Sequence, residues 1–396
     1  MQIDSSIFKA YDIRGVVDKT LTVEATRAIG QALGALAKQN NVDTLCVGRD
    51  GRLSGPKLSQ ALMEGITDMG VNVKSIGMTP TPVLYFATFL TGTGSGIAVT
   101  GSHNPPEYNG LKMMMAKDTL YGEGIQALRT QIEKGLEVCP VKGKIEEIDV
   151  ITPYLEKITS DVKLARRIKV AIDCGNGVTG PIAMELFKRL GCDITPLFTE
   201  IDGHFPNHHP DPSKPANLAT LIETVKSTDV ELGLAFDGDG DRLGVVTKSG
   251  QIIYPDRQIM LFAADILQHN PGAPIIYDVK CTRRLVPWIK DHGGVPTICR
   301  TGHSLVKAKL KETQAPFAGE MSGHLFFNDQ RWPGFDDGLY AGARILEILS
   351  RTDNPSAVLE ALPTAVNTPE LHIEMAEGEN KRFVEKLQKE LHFDDA

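Results

Sequence analysis

The chain has no apolar run approaching the ~18 to 20 residues that a membrane-spanning helix needs. Its opening segment, Met1 to Ala10, lacks the basic start and apolar stretch of a secretory signal. There is no basic excess either. The formal net charge of -8 speaks against general affinity for nucleic acid and confines any anion site to a local basic patch on an acidic body. None of the six cysteines (Cys46, Cys139, Cys174, Cys192, Cys281, Cys299) belongs to a Cys-x-x-Cys pair. Their spacing suggests neither a zinc site nor a disulfide scaffold, and buried, reduced thiols in a cytoplasmic protein are expected. Walker-type Gly-x-x-x-x-Gly-Lys-Ser/Thr, a complete Gly-x-Gly-x-x-Gly and a Gly-x-Ser-x-Gly elbow are all missing, which disfavours nucleotide, NAD and hydrolase-triad chemistry.

What is present is length and rhythm. The 396 residues, 41% hydrophobic and 23% charged, suit two to four globular domains. One pattern of strand, helix, strand, helix, strand recurs three times. The first round has a helix carrying Ile29, Leu33 and Leu36, the strand Thr44 to Val47, a helix opened by Ser54 and Pro56, and the strand Gly96 to Thr100. The second runs through strands Lys169 to Asp173, Asp193 to Phe198 and Glu231 to Phe236, with helices Pro181 to Leu190 and Leu221 to Lys226 between them. The third has strands Ile275 to Val279, Val295 to Cys299 and Pro316 to Ala318, separated by helices Arg283 to Lys290 and Ser304 to Glu312. Such alternation predicts an α/β fold with mostly parallel sheets. Each round ends in a polar loop: Thr-Gly-Ser-His-Asn-Pro (100–105), Asp-Gly-Asp-Gly-Asp-Arg (237–242) and Gly-Glu-Met-Ser-Gly-His (319–324). Ligands bind beyond the carboxyl ends of strands in open α/β sheets, so three such loops suit one shared cleft.

The acidic loop is the strongest local signal. An extended backbone would put Asp237, Asp239 and Asp241 on one side, with Gly238 and Gly240 allowing it to curl. Three adjacent carboxylates repel and call for a cation, and oxygen ligands suit Mg²⁺. An EF-hand is excluded because its sixth and twelfth positions hold Arg242 and Lys248. Ser102, just past a strand, is placed to act as a nucleophile; beside a metal loop that suits phosphoryl transfer. Arg14, Lys112, Arg242, Lys280, Arg283 and Arg284 near the strand ends suit phosphate contacts. His303 and His324 have the chemistry of proton shuttles. Glu320 and Ser322, two residues apart on an extended segment, would both face sugar hydroxyls.

Together these segments resemble the α-D-phosphohexomutase superfamily, in its bacterial phosphomannomutase/phosphoglucomutase type. Further matching segments are Lys-Ala-Tyr-Asp-Ile-Arg-Gly (9–15), Asp-Gly-His-Phe-Pro-Asn-His-His-Pro-Asp-Pro (202–212), Asp-Val-Lys-Cys-Thr-Arg-Arg (278–284) and Arg-Thr-Gly-His-Ser (300–304). The resemblance implies reversible transfer of a phosphoryl group between O6 and O1 of mannose or glucose, through phosphorylated Ser102 and a hexose 1,6-bisphosphate that turns over in the site. It implies Mg²⁺ held by Asp237, Asp239, Asp241 and the Ser102 phosphate, and Arg14, Lys112, Arg242 and His303 around the reacting phosphate. Substrate contacts fall on Tyr11, Lys280, Arg283, His303, Glu320, Ser322 and His324. The general base stays open among His303, His324 and Lys112. The alternatives are a phosphoglucosamine mutase, a branch that usually carries Ala-Ser-His-Asn-Pro and Gln where Met321 stands, and a catalytically weak sugar-phosphate-binding fragment without the C-terminal phosphate clamp. The expected fold is three similar mixed α/β domains around a central cleft, 1–148, 149–250 and 251–363, plus an incomplete fourth α+β domain, 364–396. That last segment offers one strand, Glu370 to Glu374, and one helix, Lys381 to Leu391, with no Arg-x-Ser-Asn-Thr phosphate loop after them. The expected partners are small hexose phosphates, with no nucleic acid and no membrane, and the chain is expected to be a monomer or weak dimer.

Overall fold

Periodic apolar positions and their breakers place most elements in this computed structural model, which describes residues 3–366, 373, 375 and 379–392. Ile29, Leu33 and Leu36 fall on the helix Val23–Gln39, begun by Thr22, whose Oγ1 accepts from Ala25 N at 3.1 Å. The next helix, Gly55–Asp68, has proline in its first turn. Ser54 does not cap it, contrary to expectation. Its Oγ accepts from Asn109 Nδ2 at 2.9 Å, which ties the helix start to a neighbouring strand.

That neighbour, Tyr108–Met115, is the main departure from a parallel sheet. In the first sheet Asn72–Met78, Thr44–Arg49 and Gly96–Val99 run parallel, and Ile145–Glu147 extends them at one edge. Tyr108–Met115 then returns antiparallel beside Gly96–Val99 and carries Ile13–Val16 on its other side. Lys112 therefore projects from a strand rather than from a loop. The second sheet has Lys169–Asp173 between its parallel neighbours Asp193–Leu197 and Leu232–Phe236, followed by antiparallel Leu243–Thr247. In the third, Val295–Cys299, Pro274–Asp278 and Phe317–Gly319 are parallel and Leu325–Phe327 is antiparallel. All three polar loops thus join a parallel strand to an antiparallel return. Such a return needs only a short connection, so each loop is anchored at both ends by a ladder.

Side chains from all three sheets meet in one large buried cluster, while the first sheet packs its other face against helices Val23–Gln39 and Gly55–Asp68 in a cluster of its own. Trp332 stacks on Tyr340 at 4.1 Å between ring centroids and on Phe86 at 6.0 Å, with the edge of Tyr154 6.0 Å away. Those rings come from helices Gly338–Leu349, Thr81–Leu90 and Ile151–Asp161, so one apolar cluster holds the sheets, and hence their loops, in register. All six cysteines are free; Cys139 and Cys299 are only half-buried, which corrects the expectation that every thiol is buried. Residues 1–363 form one compact unit and 364–396 a second. In the second the helix Glu379–Glu390 is described, whereas the expected strand Glu370 to Glu374 falls, apart from Ile373, on residues outside those described. Among the described residues no helix is long and apolar enough to cross a membrane.

Candidate active site

The acidic loop follows the buried strand Leu232–Phe236 and curls instead of staying extended. Gly240 has φ +80°, open to glycine without penalty, and its N–H donates to Asp237 O at 3.1 Å and Asp237 Oδ1 at 3.0 Å. Its carbonyl accepts from Gly338 N at 3.0 Å, at the start of the helix Gly338–Leu349. Curling still gathers the carboxylates: Asp237, Asp239 and Asp241 are wholly buried and each offers an oxygen within 4.8 Å of the others. Asp239 Oδ2 accepts from Thr81 Oγ1 at 2.6 Å, Lys112 Nζ at 2.8 Å and Thr100 Oγ1 at 3.1 Å. Its other oxygen, Oδ1, is buried with no hydrogen-bond partner among the described residues. Lys112 also pairs with Asp241. Burial, with Asp241 and Asp239 beside it, pushes the Asp237 carboxyl well up. Asp241 is buried too, but Lys112 and His324 hold it well below the usual carboxylate range. A buried cluster of acidic oxygens with one left unpartnered fits a hard divalent cation.

Ser102 stands against this cluster. It is buried, with φ +50°, and its Oγ donates to Asp237 Oδ2 at 3.2 Å and lies 3.1 Å from His103 Nδ1. The two loops touch through Gly238, where a Cβ would lie 2.4 Å from the Ser102 carbonyl oxygen. Arg242 completes this side: Nε is 3.9 Å from Asp237 Oδ2 and Nη1 is 4.0 Å from Asp211 Oδ1. Arg14, on the strand Ile13–Val16, pairs with Asp12 and donates to the Asn104 side-chain oxygen in the serine loop.

Glu320 and Ser322 do not lie on an extended segment. They form a turn in which Gly323 N donates to Glu320 O at 3.0 Å and Glu320 N to His324 O at 2.9 Å. The turn aims Glu320 Oε1 at Gly302 N, 2.6 Å away, and leaves Oε2 buried without a hydrogen bond. Ser322 Oγ lies 3.0 Å from His324 Nδ1, and His324 Nε2 lies 3.1 Å from Asp241 Oδ1. Burial works against a charged His324, but Asp241 outweighs it and raises the imidazole to about 9. His303 opens the helix His303–Thr313 with Nδ1 buried and unpartnered, its ring 5.6 Å from that of His324. Burial and the nearby Lys307 hold it well below its usual range. Tyr11 OH donates to Thr301 O at 3.3 Å, bridging the first and third sheets. Lys280 and Arg283 are exposed on the loop after Pro274–Asp278.

Contacts therefore run unbroken from Ser102 through the aspartates to His324, Glu320 and His303, with Lys112 and Arg242 as the embedded cations. Sequence reading passed over Asp50, Arg52, Thr81, Thr100 and Asp336. Asp336 Oδ1 accepts from Lys307 Nζ at 3.0 Å, and its Oδ2 lies 3.9 Å from His324 Nε2. Asp50 and Arg52 follow the strand Thr44–Arg49 directly, so the strand-end rule that picked the other loops also points to them.

Comparison with known proteins gives this arrangement a family. Models of phosphoglucomutase/phosphomannomutase alpha/beta/alpha domains I, II and III match residues 5–138, 152–250 and 254–366. A phosphoglucomutase of Neisseria gonorrhoeae is 56% identical over 396 residues, covering 100% of this chain and 86% of that protein. A phosphomannomutase/phosphoglucomutase of Pseudomonas aeruginosa PAO1 is 52% identical over 389 residues, covering 98% and 84%. The crystal structure of a phosphoglucomutase/phosphomannomutase family protein from Burkholderia thailandensis superposes with a TM-score of 0.94 at 55% identity, covering 99% of this chain and 86% of that one. The fold and these relatives define an enzyme that interconverts hexose-phosphate isomers by reversible phosphoryl transfer. The chain belongs to the phosphoglucomutase/phosphomannomutase family of the α-D-phosphohexomutase superfamily.

Proposed function

We propose that the chain interconverts the 6- and 1-phosphates of glucose and of mannose through phosphorylated Ser102 and a hexose 1,6-bisphosphate. The observation that carries this reading is the contact of Ser102 Oγ with Asp237, 3.2 Å away, inside a carboxylate cluster whose Asp239 Oδ1 has no partner. Asp237, Asp239 and Asp241, with the Ser102 phosphate, would hold Mg²⁺, which when bound neutralises charge on the transferring group. Arg14, Lys112 and Arg242 supply the cationic surroundings of the reacting phosphate. The Lys112 amine is engaged by two carboxylates, which favours His303 or His324 over it for moving the proton of the attacking sugar hydroxyl. Glu320, whose Oε2 makes no hydrogen bond among the described residues and lies 3.4 Å from His324 Nδ1, and Ser322 bind sugar hydroxyls, with Tyr11, Lys280 and Arg283 as further substrate contacts. The four segments 1–148, 149–250, 251–363 and 364–396 serve as units carrying the serine loop, the metal loop, the sugar loop and the C-terminal part. The expected place of action is the cytoplasm.

The test uses glucose 1-phosphate, Mg²⁺ and a trace of glucose 1,6-bisphosphate, with glucose 6-phosphate as the product followed. Intact-mass analysis of the native chain should show one added phosphate on a fraction of molecules, mapped to Ser102. Ser102→Ala should lose that phosphate and nearly all turnover while melting at the native temperature. Turnover by Ser102→Ala at the native rate would sink the phosphoserine mechanism.

A further inference from the structure

The serine loop turns its backbone carbonyls toward one buried guanidinium, that of Arg52, whose side chain is 0% exposed. Nη2 donates to Ser102 O at 2.8 Å and Asn104 O at 2.6 Å, and Nη1 donates to Pro105 O at 2.6 Å and Tyr108 O at 2.9 Å. Nε donates to Asp50 Oδ2 at 3.2 Å, so every N–H of the guanidinium is engaged. Asp50 binds the same loop from the acceptor side, taking Thr100 Oγ1 at 2.8 Å and Gly101 N at 3.1 Å. Gly101 is obligatory here, since a Cβ would lie 2.4 Å from the guanidinium carbon. The segment 202–212, whose Asp211 faces Arg242, lays the Phe205 ring 5.3 Å from that carbon. Phe205 itself holds φ +52°.

Ser102 needs such support. Its φ of +50° is a left-handed conformation that is strained for a residue bearing a Cβ and persists only where its surroundings impose it. Arg52 grips the carbonyl of Ser102 itself and three more carbonyls of the same stretch, yet makes no contact with Oγ. A lysine could not replace this fork, because it offers three donors in tetrahedral rather than planar array. We propose that Arg52, backed by Asp50 and covered by Phe205, is a positioning residue that holds Ser102 in its left-handed conformation and so aligns its Oγ with the acidic loop. Because it acts on alignment and touches no sugar site, its loss should fall on kcat and spare KM.

This inference rests on the phosphoserine reading, so the native chain is the first arm: incubated with glucose 1,6-bisphosphate, it should carry phosphate at Ser102 by mass. Arg52→Lys and Arg52→Ala are then measured for melting temperature, kcat, KM for glucose 1-phosphate and phosphate retained at Ser102. The expected result is a kcat reduced by about 100-fold, KM within about threefold of native, and partial recovery of Arg52→Ala by millimolar guanidinium ion. Should both variants fail to fold, Phe205→Leu, which uncovers the guanidinium but leaves its hydrogen bonds, should lower kcat by about threefold or more at unchanged KM. A folded Arg52 variant with native kcat overturns the positioning role, as does a raised KM at native kcat, or native kcat in Phe205→Leu when it is the variant used. An unphosphorylated but active native chain fails the phosphoserine reading, and this inference with it.

Discussion

At the scale of single residues, Asp239 and Asp337 show what burial does to a carboxylate. Asp239 is asymmetric: one oxygen accepts from Thr81, Lys112 and Thr100, and the other has no hydrogen-bond partner among the described residues. Asp239→Asn keeps the size but removes one charge, so the Mg²⁺ concentration that gives half-maximal activity should rise by a factor equivalent to about 1–3 kcal/mol. Titrating Mg²⁺ against rate measures it, and an unmoved half-saturation point means the cation sits elsewhere. Asp337 caps the helix Gly338–Leu349, accepting from Tyr340 N at 2.9 Å and from Tyr154 OH at 2.9 Å. Burial, with Asp336 adding to it, raises its carboxyl to about 8. The unfolded chain releases this proton near pH 4, while the folded chain keeps it until about pH 8. Its contribution is therefore fully present below pH ~4 and lost as pH rises toward 8. Asn at this position mimics the neutral form and is a good cap. The stability of Asp337→Asn relative to native should accordingly grow with pH across that window, to on the order of a few kcal/mol. Urea denaturation at pH 5 and pH 8 reads the difference; a pH-independent difference would mean that Asp337 is ionised in the fold.

Among the elements, the ones announced by periodicity were the legible ones. Helices with apolar residues three and four apart and β-branched strands lie within a residue or two of their expected ends. The strand Tyr108–Met115 escaped because Asn109-Gly110 reads as a turn and its run of methionines lacks the β-branched signature. Two loops that alternation suggested were extended curl instead, since hydrogen bonds from Gly240 and Gly323 back to Asp237 and Glu320 outcompete an unpaired extended backbone. The helices are locked to one another by Trp332, 2% exposed against rings from three of them. Trp332→Ala should cost about 3–5 kcal/mol, the usual range for a deleted buried indole. Denaturant titration checks this, and a loss under about 1 kcal/mol would mean that the cluster repacks.

For residues 1–363 as a whole, the shared core has a thermodynamic consequence. Side chains from all three sheets join one buried cluster, which includes Ile76, Phe236 and Phe317, so no sheet can melt without exposing apolar surface of another. Scanning calorimetry should show a single unfolding transition for this unit, with calorimetric and van't Hoff enthalpies in agreement. Two resolved transitions would mean that the sheets are independent and that the seams contribute little.

Residue order alone was enough to identify the family and to mark the three loops, because both live in short contiguous strings: alternating aspartates and glycines, a serine past a strand, a Glu-x-Ser-x-His segment. It could not show which distant groups neutralise which. That Lys112 serves Asp239 and Asp241, 127 and 129 residues away, follows from the antiparallel return of its strand. That His303 is depressed follows from burial first and the charge of Lys307 second, while His324, equally buried, is raised because Asp241 lies against it. The sequence does not mark the Arg52 guanidinium as buried, because a buried guanidinium and an exposed one have the same sequence. Burial and partnership are properties of the packed chain, and they set the charge state of each group the site employs.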